Sequence, residues 1–169
     1  QKERFYYQEK IKTVQKEIEN YKQNYILSHT NTLALLFKLT QPIDDFSSLT
    51  KNQKLATKKD SILFLKTNYF KDIDFKDSRL LRNPFLEPKL SKYFELFVPN
   101  TVDAITDEIN EILDQANPPE SEMFKYMSMH FMDQYITPKK MGHDRIFLNL
   151  YNRYFKNQTY EWLPLVQKE

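Results

Sequence analysis

Over residues 5–27 the apolar side chains fall at Tyr7, Ile11, Val14, Ile18, Tyr21 and Tyr25. Those steps of four and three draw one stripe along a helix, and Lys, Glu and Gln cover most of the remainder. The stripe has the spacing of a coiled-coil seam but runs for under three heptads, so packing on the chain's own domain is expected of it. "SHTNT" then breaks the pattern and supplies Ser and Thr for a cap. "LALLFKL" follows as a short buried helix ended by "TQP". From Pro42 to Thr57 the chain is polar, with only Phe46, Leu49 and Leu55 as apolar anchors, and reads as a loop or short helical turn.

A helix resumes in "KKDSILFLKTNYF". In "DFKDSRLLRNPF", Pro84 disfavours the α region at Asn83, so "DSRLLRNP" is expected to form one capped helical turn between two longer helices. Asp or Ser would cap it, Leu80 and Leu81 would plug the core, and Arg79 and Arg82 would bridge helices. "FLEPKLSKYFELFV" makes the next helix, broken at Pro99. "TVDAITDEINEILDQAN" opens on a Thr cap and turns Val102, Ile105, Ile109, Ile112 and Leu113 to one face. After Pro118-Pro119, "MFKYMSMHFMDQY" is apolar almost all round and is expected to be the most buried helix. "RIFLNLYNRYF" closes the series with Asp144 as its expected N-cap, and Trp162 lies in a polar-aromatic tail. No strand pattern competes. The fold class is therefore all-α: a bundle of stacked antiparallel helix hairpins with a long N-terminal helix. One domain over 1–169 is expected, with the long helix at 1–27, a short helix and polar loop at 28–57, and a helical core at 58–169.

Composition sharpens this picture in two places. A single Gly in 169 residues leaves few turns with positive φ, which disfavours hairpin-rich β architectures. With 13 Phe and 11 Tyr, the core should be built on rings. Charge excludes more than it suggests: 25 basic side chains oppose 23 acidic ones, and lysines alternate with acids rather than clustering, so nucleic acid is not an expected partner. There is no Cys, hence no thiolate nucleophile, disulfide or Cys zinc site within the chain. The longest apolar run, "LALLF", is too short to cross a bilayer. The chain opens at Gln1 inside a helical pattern, which suits a fragment of a larger protein.

Candidate chemistry is sparse. Every Met but Met141 lies in "MFKYMSMHFMDQY" beside His130, and Met and His are soft ligands suited to Cu(I), yet such a cluster on an apolar helix is ordinary core composition. Asp72, Asp74 and Asp77 crowd one turn, but a calcium loop would place a Glu where Asn83 stands. His143 and Asp144 are adjacent without a nucleophile in view, and His29 and His130 stand alone. The sequon Asn157-Gln-Thr bears only on a eukaryotic secretory protein. No cofactor, metal or reaction is expected of this chain by itself.

Two blocks carry a resemblance. "TNYFKDIDFKDSRLLRNPFLEPKLSKYFELFVPNTVDAI" and "EMFKYMSMHFMDQYITPKKMGHDRIFLNLYNRYF", the latter followed by Trp162, resemble a domain of unknown function from Bacteroides-type Gram-negative bacteria. Phe70 stands where that family has Trp. The resemblance implies a helical domain lying ahead of a thioredoxin-like domain in exported, often lipid-anchored proteins similar to periplasmic thiol–disulfide reductases. It therefore implies a non-catalytic accessory domain of the periplasm or cell envelope, positioning a partner or protein substrate. The expected partner is the thioredoxin-like domain of the same polypeptide. The expected partner-binding residues are Arg79 and Arg82 at the corner, and Tyr154 and Trp162 in the tail nearest the implied junction. The alternative is a free-standing helical module that binds a peptide or helix in an aromatic groove.

Overall fold

The computed structural model describes residues 2–40 and 57–162. The polar stretch read as a loop after Pro42 lies outside the described residues up to Thr57, as does the chain after Trp162. Seven α-helices and one 3₁₀ turn occur among the described residues, with no strand. They are α1 (Lys2–Ser28), α2 (Thr32–Leu39), α3 (Lys58–Asn68), the 3₁₀ turn (Ser78–Arg82), α4 (Leu86–Phe97), α5 (Val102–Gln115), α6 (Glu122–Ile136) and α7 (Asp144–Tyr154). The fold is an all-α helical bundle. The chain divides into two compact units, Gln1–Ile43 and Asp44–Glu169.

In the first unit α1 packs against α2 near their junction. Tyr25 stacks on His29 at 4.0 Å and meets Phe37 edge-on at 5.5 Å. Its hydroxyl accepts a hydrogen bond from Asn31 at 2.9 Å. The cap of α2 is Asn31, whose side chain accepts from the Ala34 N–H at 3.0 Å, rather than the Ser or Thr of the same stretch. The stripe of α1 does not pack on its own domain as expected. Tyr7, Ile11, Val14, Ile18 and Tyr21 are 60, 56, 46, 48 and 61% exposed. A helix this long outruns the eight-residue α2, so the shorter helix can cover only its C-terminal end.

The second unit is organised by local signals. Thr57, Asp77, Thr101 and Ser121 each cap a helical segment by accepting a backbone N–H. The expected cap at Asp144 is corrected: Asp144 sits in the first turn of α7, and His143 before it makes no side-chain cap. The carboxylate there faces the positive end of the helix dipole instead. Gly142, the chain's only glycine, precedes that start with φ +85°, a conformation costly for any side chain.

Helices α5, α6 and α7 pack on one another, the 3₁₀ turn lies on α6, and α3 lies on α4. The core takes Ile109, Ile112 and Leu113 from α5, Met123, Phe124 and Met127 from α6, and Ile146 and Leu150 from α7. Leu80 plugs it completely, whereas Leu81 is half-buried. The sealed position of Met123 and Met127 fits their reading as packing residues; His130, one turn on, is half-buried and stacks on Tyr126. A ring cluster ties α3 to α4, with Phe70 4.6 Å from Tyr93 and 5.2 Å from Phe75.

Candidate functional site

At the Arg corner, Asp77 first caps its own turn by accepting the Arg79 N–H at 3.0 Å. The same carboxylate takes the Arg79 guanidinium, Nε to Oδ1 at 2.9 Å and Nη2 to Oδ2 at 2.6 Å. That hydrogen bond raises the Arg79 pKa and fastens the guanidinium to its own turn. Arg82 is exposed and lines a shallow depression with Leu81, Pro84, Glu87 and Tyr126. Tyr126 donates its hydroxyl to Glu87, and His130 Nδ1 stands 3.7 Å from the same carboxylate. Burial, then the Glu87 hydrogen bond and charge, push the Tyr126 phenol up to about 12.

Tyr154 is not a surface residue, and its assignment to a docking tail is corrected on that point. It is 8% exposed and donates to Asp114 Oδ1 at 3.1 Å. Arg153 reaches Asp114 Oδ2 at 2.8 Å and lies over the Tyr154 ring at 5.3 Å. The three side chains brace α7 on α5. Ring burial and the neighbouring Asp114 raise the Tyr154 pKa. The sequence could not tell this ring from its neighbours, because three aromatic residues stand within five positions of "YNRYF". Trp162 is half-buried, stacked on Tyr160 at 5.1 Å and edge-on to Phe155 at 6.2 Å. Its indole Nε1 is buried and has no partner among the described residues.

One buried carboxylate escapes sequence reading altogether. Glu108 on α5 is 6% exposed, the only buried charged side chain among the described residues. Lys66 of α3 donates to its Oε2 at 2.5 Å, and Tyr93 of α4 donates to its Oε1. Desolvation, then the Glu108 hydrogen bond and charge, hold the Tyr93 phenol protonated far above its ordinary range. The cluster forms the inner wall of a cleft of about 490 Å³ whose lining includes Thr67, Lys71, Glu111 and Gln115. Both carboxylate oxygens are engaged, so the arrangement joins three helices and leaves Glu108 poorly placed as a base. Elsewhere, no group of three or more His, Asp or Glu side chains converges as a metal site among the described residues.

An apolar groove of about 220 Å³ lies between α6 and α7. Met129, Met132 and Ile136 line one wall, and Phe147, Tyr151 and Phe155 the other, with Asp133 at the rim. Phe147 and Tyr151 are parallel rings 6.4 Å apart. They form the row beside the core-facing Ile146, Leu150 and Tyr154, one residue on in each turn. Ile136 is 58% exposed, a large apolar side chain left to water at the groove's end. The sequence signal for this groove was the all-round apolarity of α6: a helix with apolar side chains on every face has more of them than one core can cover.

Residues 52–168 match the family described as a domain of unknown function, DUF5106. The match covers well over half the chain and leaves α1 and α2 outside it. No curated protein and no solved structure matches.

Proposed function

The chain belongs to the DUF5106 family, and from that premise we propose that it is a non-catalytic helical accessory domain that docks a protein partner in the α6–α7 groove. The observation that carries the reading is the groove itself: two rows of apolar and aromatic side chains, with Ile136 exposed beside them. Exposed apolar surface of this kind costs free energy in water, and covering it with an apolar segment recovers that cost. Its helical walls and paired rings suit an amphipathic helix that lays Leu-type anchors between the rows. The non-catalytic part of the reading is supported by Glu108, whose oxygens are occupied by Tyr93 and Lys66.

The partner in this reading is a thioredoxin-like domain of the same polypeptide, as the family resemblance of the two sequence blocks implies, in the periplasm or cell envelope. A tether would raise the local concentration of the partner enough for a small groove to be occupied. Arg79 and Arg82 then serve as a second contact at the 3₁₀ corner, whereas the Tyr154 hydroxyl, committed to Asp114, drops out of the docking surface. Trp162, half-buried against Tyr160 and Phe155, stays in this reading as a contact through the exposed part of its ring.

The test begins with the gene downstream of residue 169, read for a C-x-x-C on a strand–helix pattern. That domain is then assayed for protein-disulfide reduction alone, fused to this chain, and fused to the Ile136→Glu variant. Fusion should change the rate or the apparent affinity, and Ile136→Glu should reverse the change by about tenfold or more if the groove is the docking surface. Loss of the effect in Arg79→Ala/Arg82→Ala but not in Ile136→Glu would move docking to the corner. Absence of any such downstream domain would leave the groove as the site of a free-standing peptide-binding module.

A further inference from the structure

The α1 stripe, left solvent-facing, has a regular heptad phase that the groove reading does not use. With Ile11 and Ile18 at a, the d positions are Tyr7, Val14 and Tyr21, giving five consecutive apolar layers. The seam has natural ends. Arg4 occupies the preceding a position, and Tyr25, the next a residue, is already engaged by His29 and Phe37. We propose that this face pairs with α1 of a second copy of the chain as a short, parallel, in-register, two-stranded coiled coil.

Three observations select this occupant. β-Branched Ile fills both a layers, one half of the pattern that favours two parallel strands, with Tyr and Val in place of Leu at d. The flanking charges are complementary only across copies: in a parallel pair Glu17 at g faces Lys22 at e of the other strand, and Lys10 at g faces uncharged Gln15 at e. Within one chain Lys22 makes only a long contact with Glu19, at 3.8 Å between two half-buried side chains. Finally, an antiparallel pair must stack a layers on d layers. One such register matches Tyr7 with Ile18 and Ile11 with Val14 but sets Tyr21 against Arg4; the next, with Ile11 on Tyr21 and Val14 on Ile18, drives Tyr7 onto the engaged Tyr25 and brings Glu17 beside its own copy. The parallel pair keeps all five layers apolar.

Five layers are few, and association carries a large entropic cost, so the dimer should be weak, with a dissociation constant on the order of 10 μM. Sedimentation of the full chain between micromolar and millimolar concentration should show a monomer–dimer equilibrium. Ile11→Lys with Ile18→Lys should abolish it without altering the thermal unfolding of the second unit, which excludes misfolding as the cause. Glu17→Lys should weaken the dimer, and adding Lys22→Glu should restore it. Because the chain has no Cys, orientation can be read directly by oxidation. Tyr7→Cys chains should cross-link to one another, and a mixture of Tyr7→Cys with Ile18→Cys should yield few mixed dimers. A chain that stays monomeric to millimolar concentration overturns the proposal. So does a predominance of mixed cross-links, a trimer, or a monomer whose α1 binds anionic lipid vesicles through the same stripe.

Discussion

Removing the Glu108 carboxylate should destabilise the protein more than any other single polar substitution among the described residues. In Glu108→Ala the Tyr93 hydroxyl, on a residue only 4% exposed, loses its acceptor, and the Lys66 ammonium loses its counter-charge. An unsatisfied buried hydroxyl costs about 1–3 kcal/mol. One-sided breakage of a buried ion pair costs about 3–5 kcal/mol, but the Lys66 side chain keeps 32% of its surface and can turn to water, so the lower end applies. These terms overlap, and a net loss of about 3–4 kcal/mol is expected, a large share of the roughly 5–15 kcal/mol that holds a domain folded. Glu108→Gln keeps an acceptor for one partner and should cost about 1–2 kcal/mol. The combined Lys66→Met, Tyr93→Phe, Glu108→Leu variant removes every group needing a partner and should recover most of the loss. Urea unfolding followed by far-UV circular dichroism measures all three, and unchanged m-values would license the comparison. A Glu108→Ala variant within about 0.5 kcal/mol of the parent would refute the reasoning, since surface substitutions fall in that range.

Gly142→Ala should cost about 1–2 kcal/mol in thermal or urea unfolding through φ +85° alone, because an added Cβ meets nothing within 4 Å; Gly142→Asn should cost less. Stability should fall on the alkaline side. Tyr126, raised from 10.0 to about 12, and Tyr93 and Tyr154, also raised, stay protonated in the fold while their unfolded counterparts ionise near 10. Their contribution is complete below pH 10 and drains away as pH rises through 10 towards 12 and beyond, so melting temperature against pH should turn downward there; a flat profile between pH 9 and 11 would contradict it. Thr101→Ala should cost about 1 kcal/mol by freeing the Ala104 N–H, read from the urea midpoint. Leu80→Ala, at a fully buried side chain, should cost about 2–5 kcal/mol and show whether the 3₁₀ corner is integral to the core.

The sequence by itself determined what depends on residues within about four positions of one another. Thr101 and Asp77 announce helix starts because their side chains reach N–H groups two or three residues ahead. Pro84 stops the short turn because its ring restricts the residue before it. The recurring steps of three and four settled the all-α class, and the one glycine sits at the one positive φ among the described residues. Burial was a different matter, because a stripe states that a face is apolar and not what will cover it. The α1 stripe, expected to pack on its own domain, lies open. Tyr154, expected at the surface, is enclosed, and Asp144 sits inside the turn it was expected to cap. Glu108 looks like any other acid in the "DEINE" stretch. It becomes singular only because α3 and α4 bring Lys66 and Tyr93 to it, 42 and 15 residues away along the chain. Such pairings are set by which helices pack together, and no local pattern within a single helix encodes them.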